Sequence, residues 1–385
     1  MAIEAKYLDE FKYFGDRIYF DCSAMGMPPQ RTRNFAKRYM DVFYDSLWQD
    51  PEIQGEVLRP KAKEAIARLI NADPEDIFFT RNTTEGNNLL AHGYPLQPGD
   101  EVLVHNEDFP AVYMPWTIRQ RDGVKLTVVK GENGIVSADE MIAHFSGRTR
   151  IAAVSMAQSS SGYVTDLVKL GKACRERGIL LSVDAVQAAG RLPIDVETMN
   201  IDVLASSSFK GLMGIMGAGF CWCRREVMDR MDPPVVSGNI NWDTYDLQPG
   251  FESLAIPEFP SGAARMETGT TNNLGIAMMA ESIGMLNEIG IENIAAQIRD
   301  VEAYYRSRLK KADLPVRMLG SEDPDTWSGS VSFIYDQERK KALTEALEQA
   351  GIYAAVRSYF RVSFHFYNTK AQVDRLIPIL ERVLG

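Results

Sequence analysis

The chain has 385 residues, 45% hydrophobic and 24% charged, with 4 cysteines. That composition excludes a disordered, collagen-like or disulfide-stapled protein, and at about 100–200 residues per domain it leaves room for two domains around a substantial core. Its 42 Lys+Arg against 52 Asp+Glu leave a formal net charge of −10, so the surface as a whole repels nucleic acid and anionic lipid.

Residues 1–17 mix acids, bases and aromatics without the apolar run or small-residue cleavage site of a secretory signal. No uncharged stretch approaches the roughly 20 apolar residues of a membrane span. A cytoplasmic protein is expected. From Asp76 to Cys223 short apolar, β-branched runs alternate with helical patterns, the rhythm of a mainly parallel sheet covered by crossover helices. Strands are predicted over 77–80, 101–105, 125–129, 150–156, 180–183, 202–206 and 219–223. Helices are predicted over 111–120, 138–145 and 167–177, the last stopped by Gly178. The stretch from Val235 to Gly262, rich in Pro, Gly, Asn, Asp and Trp, has no period and reads as a long loop, a length that compact domains keep for function or an interface.

After Asn272 come two long amphipathic helices, 275–289 and 292–311, then strand, strand, helix, strand, strand, helix. The expected architecture is therefore α/β: a large domain over 18–273 and a smaller α+β domain over 274–385, against which residues 1–17 pack. Because no Pro/Gly-rich linker marks the boundary, the helix from 275 is expected to lean on the large domain. Cys22, Cys174, Cys221 and Cys223 fit no paired zinc or redox spacing, since only one residue separates Cys221 from Cys223, and they read as buried core.

Three segments carry chemistry. Arg81-Asn82-Thr83-Thr84-Glu85-Gly86 leaves a strand and opens a helix, where free N–H groups and two hydroxyls make a cradle for a phosphate; an ordinary helix cap explains the same residues. Ser182-Val183-Asp184-Ala185-Val186-Gln187 ends an apolar strand in an acid, at the edge where open α/β sheets bind ligands, and a buried Asp184 needs a partner. Ser206-Ser207-Ser208-Phe209-Lys210-Gly211 leaves a further strand. There burial of Lys210 would lower its pKa and free its amine for Schiff-base chemistry. The glycines beyond it form no G-x-G-x-x-G, which argues against a dinucleotide.

In this order the segments resemble the class V aminotransferase and cysteine desulfurase family, over nearly the whole chain from Tyr19-Phe20-Asp21 onward. The resemblance implies the type I fold of pyridoxal 5′-phosphate enzymes. It makes Lys210 the residue of the internal aldimine, Asp184 the partner of the pyridinium nitrogen and Gln187 the neighbour of the ring hydroxyl. It implies phosphate contacts from Thr83, Thr84 and Ser207, ring stacking by Phe109, and a polar Ser159 facing ring and substrate. It also implies that Thr270, in Arg265-Met266-Glu267-Thr268-Gly269-Thr270, reaches the neighbouring subunit's phosphate in a homodimer. Arg361, in Phe360-Arg361-Val362-Ser363-Phe364, matches the Arg that holds a substrate carboxylate, a task suited to a bidentate guanidinium.

Two departures matter. Phe209 stands where desulfurases commonly carry His. The segment Val356-Arg357-Ser358-Tyr359-Phe360 runs straight into the Arg361 strand without the long loop and mobile Cys that accept sulfur as a persulfide. The sequence therefore argues against persulfide transfer and for aminotransferase-type chemistry on an amino acid. Carbon–sulfur lyase and epimerase are the alternatives, and a non-catalytic cofactor-binding regulator is the outlying one. Asp21 to Met25, Asn239, Asn241 and Trp242 are expected pocket walls.

Overall fold

A computed structural model of the chain describes residues 3–240 and 258–385; Asn241 and Trp242 lie outside the described residues. After a short β1 (Ile18–Tyr19), the strands β2 (Ile77–Thr80), β3 (Glu101–His105), β4 (Lys125–Val129), β5 (Thr149–Ser155), β6 (Leu180–Asp184), β7 (Val203–Ser207) and β8 (Gly219–Cys223) follow in sequence. β2 to β8 form one sheet in the order β2-β8-β7-β6-β5-β3-β4. β2, β3, β7 and β8 are buried along their whole length, as expected where helices cover both faces.

β7, β6, β5, β3 and β4 run parallel, but β8 is antiparallel to both of its neighbours. The reason lies in the connection. A parallel crossover takes about a dozen residues or more, usually a helix, whereas only residues 208–218 join β7 to β8 and they turn straight back. Because β2 also pairs antiparallel with β8, its end at Thr80 reaches the same edge as Ser207 and Asp184. The residues that follow β2, β3, β5, β6 and β7 thus converge on one rim.

The remaining strands are β9 (Arg317–Met318), β10 (Ser330–Ile334), β11 (Ile352–Tyr353), β12 (Ala355–Val356) and β13 (Phe360–Ser363). They make an antiparallel sheet ordered β12-β13-β10-β9, while β11 pairs in parallel with β1. The helix Asn273–Ile289, capped by Asn272, packs on the helix Gly55–Ile70 of the larger half. Phe11 stacks on Phe366 and Tyr367 at 5.6 and 4.3 Å between ring centroids, so the first residues lie against the end of the chain. One apolar core runs unbroken from Leu181 and Val183 through Ile283 to Val331 and Phe360.

Candidate active site

Lys210 sits in the tight turn after β7. Its ammonium lies 5.6 Å from the centroid of the Phe109 ring, which begins the helix Pro110–Arg119 beyond β3 and is half-exposed. Burial pushes the Lys210 amine down to about 8; Asp184 opposes the shift, and Arg361 and Arg191 add to it. Asp184, at the end of β6, is almost wholly buried. One of its carboxylate oxygens accepts the Val186 N–H at 2.9 Å, while its Oδ2 has no hydrogen-bond partner among the described residues. Burial raises this carboxyl to about 7.

Gln187 is similarly placed: its Nε2 donates to the Ser23 carbonyl at 3.1 Å and its buried Oε1 has no partner among the described residues. Buried polar atoms are nearly always paired, so Asp184 Oδ2, whose carboxylate acts on the Lys210 amine, and Gln187 Oε1, three residues further on, mark a place for a polar ligand. On the far side, the Ser207 hydroxyl accepts the Thr83 N–H at 2.9 Å and lies 2.9 Å from the Thr83 hydroxyl. The helix cap here is Asn82, whose side chain accepts the Glu85 N–H. The capping duty expected for the threonines therefore falls to Asn82, which leaves Thr83 and the exposed Thr84 in the first turn of the helix, where N–H groups and the dipole favour an anion.

Arg361 enters from β13 and is buried. Its Nη1 donates to the Ser159 carbonyl at 2.8 Å, its Nη2 to Asp21 at 3.2 Å, and its Nε has no partner among the described residues. Ser159 is thus in the site, with its carbonyl engaged. Asp21 belongs to the expected pocket wall, but its ion pair with Arg361 was not foreseen. Arg357, the other arginine of this region, is exposed on the hairpin. Thr270 stands apart from the Lys210 cluster, in a cleft of about 320 Å³ lined also by Arg81, Gly217 and Asn272.

Sequence reasoning missed a second layer. Arg191, wholly buried, donates to the Ser23 hydroxyl, the Gln187 carbonyl, the Phe364 carbonyl and Ser330. Asp108 holds the Ser155 N–H and hydroxyl directly behind Phe109, with His105 3.0 Å away. Nothing local in the sequence distinguishes these from ordinary polar residues. All four thiols are free and buried. Cys22 is the one beside the site, and its Sγ donates to the Phe364 carbonyl at 3.2 Å while burial raises its pKa. Among the described residues no group of His, Cys, Asp and Glu is arranged to hold a metal ion.

The set fits a flat, phosphorylated pyridine ring carrying an aldehyde. It offers an amine poised to lose its proton, a buried acid with a spare oxygen, an amide oxygen beside it, an aromatic face, and hydroxyls at a helix start. Comparison with known proteins agrees. Residues 18–376 match the profile of the family described as aminotransferase class-V. A probable cysteine desulfurase of Methanothermobacter thermautotrophicus is 27% identical over 344 residues, 84% of this chain and 83% of that protein. An uncharacterized aminotransferase, YcbU, of Bacillus subtilis is 26% identical over 349 residues, 88% of each. Among solved structures, the cystine C–S lyase C-DES in complex with its product cysteine persulfide superposes with a TM-score of 0.85 at 20% identity, covering 97% of this chain and 100% of that one. The chain belongs to the class-V aminotransferase family, whose cofactor is pyridoxal 5′-phosphate.

Proposed function

We propose that the protein breaks the Cβ–sulfur bond of a sulfur-bearing α-amino acid and releases the sulfur on a small product, without passing it to a cysteine of its own. The observation that carries this reading is that Arg361 lies close enough to act on the Lys210 amine while every thiol is buried in the core, Cys22 included. The similarity to desulfurases and to a cystine lyase points to the carbon–sulfur bond. An elimination in which sulfur leaves on the product needs no protein thiol.

When bound, the cofactor supplies an electron-withdrawing ring that acidifies the Cα–H of an attached amino acid. Thr83, Thr84 and Ser207 would hold its phosphate, Phe109 would stack on the ring, Gln187 Oε1 would face the ring hydroxyl, and Asp184 Oδ2 would keep the ring nitrogen protonated. Arg361 binds the α-carboxylate, with Ser159 alongside, and so orients the Cα–H bond. Lys210 Nζ takes the Cα proton and can pass it to the departing sulfur. The Cβ–S electron pair leaves with sulfur. In sum, an S-substituted cysteine and water give pyruvate, ammonia and the corresponding thiol or persulfide. Thr270 completes the phosphate site of a second copy in a homodimer.

Transamination is the second reading, favoured by the likeness to the Bacillus aminotransferase. A single-turnover experiment with cystine, cysteine and a panel of other amino acids separates the two, with spectra and products followed together. Pyruvate with a released thiol or persulfide, and recovery of the starting visible band, are expected. A stable aminated cofactor with an oxo acid that keeps the donor's carbon skeleton would establish the aminotransferase instead.

A further inference from the structure

The turn bearing Lys210 presents three consecutive carbonyls, and each is held by a different part of the chain. Phe209 C=O accepts the Gly26 N–H at 2.7 Å, Lys210 C=O accepts the Met213 N–H at 2.9 Å, and Gly211 C=O lies 2.9 Å from His365 Nε2. The first comes from the N-terminal segment, the second from the turn itself, and the third from just beyond β13. The fit is tight: a methyl group on Gly211 would collide with the Ala189 carbonyl and the Arg191 side chain.

His365 is wholly buried and both ring nitrogens are engaged. The Phe366 N–H donates to Nδ1 at 2.9 Å, so the proton of the neutral ring is on Nε2 and is given to Gly211. The ring lies parallel to Tyr367, 5.4 Å between centroids and 4° apart, and the His365 N–H is fixed by Asn368 at 2.8 Å. Arg361 is four residues upstream on β13. Between them Phe364 is tied by its N–H to Gly329 and by its carbonyl to Arg191 and Cys22. One stiff stretch of backbone therefore carries the arginine at one end and the imidazole at the other.

We infer that His365 is a positioning residue for Lys210: by donating to the Gly211 carbonyl it fixes the lysine turn to the strand bearing Arg361, so that amine and carboxylate seat keep one geometry. A buried hydrogen bond could serve core packing alone; this one joins the Lys210 turn to the strand bearing Arg361. The inference rests on the reading of Lys210 as the residue bonded to the cofactor. The charged groups acting most on the Lys210 amine are Asp184, Arg361, Arg191 and Asp21; the influence argued for His365 is through geometry.

The test uses the cofactor-loaded protein. His365→Phe keeps the ring and the stacking but loses the donor; His365→Gln keeps an N–H donor. Cofactor dissociation from His365→Phe is expected to be about tenfold easier, the loss of one buried hydrogen bond, and the pH midpoint of the visible band is expected to move by about half a unit. His365→Gln should recover most of both. A folded His365→Phe with native affinity and midpoint, or two variants impaired equally, would reduce His365 to core filling and overturn the inference. If His365→Phe does not fold, the ring nitrogen signals of His365 in the native protein decide. They should report the Nε2–H form and shift on cofactor loading, and no shift overturns the coupling. Lys210→Ala is the control: a borohydride-reducible linkage persisting there withdraws the reading of Lys210 itself, an outcome distinct from either failure above.

Discussion

At the scale of single residues, the chemistry depends on charged groups kept short of water. Lys210 is lowered to about 8, from 10.5, chiefly by burial, so its neutral form predominates above pH 8 and is lost below it. In cofactor-free protein, an amine-reactive reagent should label Lys210 with a pH midpoint near 8, well below that of surface lysines; a midpoint near 10.5 would mean a solvated ammonium. Arg361 and Asp21 make a second test. With Asp21 on its Nη2, the arginine already has an internal carboxylate. Arg361→Ala is expected to raise KM for an α-amino acid about a hundredfold, through loss of a charged hydrogen-bonded pair of about 2–3 kcal/mol, with a smaller change in kcat. Asp21→Asn frees the guanidinium and should lower KM. Steady-state kinetics of both variants check this, and a higher KM in Asp21→Asn would instead make Asp21 the residue that orients Arg361.

At the scale of elements, the tight return from β7 to β8 places the lysine. A methyl group on Gly26 would overlap the Lys210 carbonyl, which leaves no space for a side chain there. Gly26→Ala is expected to cost about 1–3 kcal/mol by overpacking and to weaken cofactor binding with it, measurable by thermal denaturation with and without cofactor. Much of this level was legible in the sequence. Apolar runs marked β2, β3, β4 and β8 to the residue, and the rule that ligands gather at strand ends pointed to Asp184. The reversal of β8 was not legible from the apolar pattern, because periodicity carries no strand direction; only the short 208–218 connection hinted at it. Asp21 with Arg361, and His365 with Gly211, were hidden for another reason. They join residues 340 and 154 positions apart, and no local pattern encodes such a pairing. Phe109, Thr83, Gln187 and Ser207 came from resemblance; the structure puts the Phe109 ring centroid 5.6 Å from the Lys210 amine and Thr83 on the Ser207 hydroxyl.

At the scale of the whole molecule, the proposed sharing of sites predicts assembly. The 43.1 kDa chain should sediment as a dimer. Thr270→Val should weaken cofactor binding while leaving Lys210 reactivity in the cofactor-free protein unchanged, since Thr270 lies in a separate cleft of its own subunit. A monomer that binds cofactor with full affinity would refute the sharing. The topology has a further consequence, for the order of events during synthesis. β1 pairs with β11, Ile18 against Ile352, and β2 pairs only with β8 within the large sheet. The early strands must therefore wait for partners that leave the ribosome much later, and contacts so distant along the chain are slow to close. Phe11 and Phe20, buried in the finished protein, stay exposed on the nascent chain, so chaperone protection matters most for the N-terminal segment. The Asp21–Arg361 pair can form only after nearly the whole chain has emerged, so unfinished chains carry Lys210 without the arginine beside it.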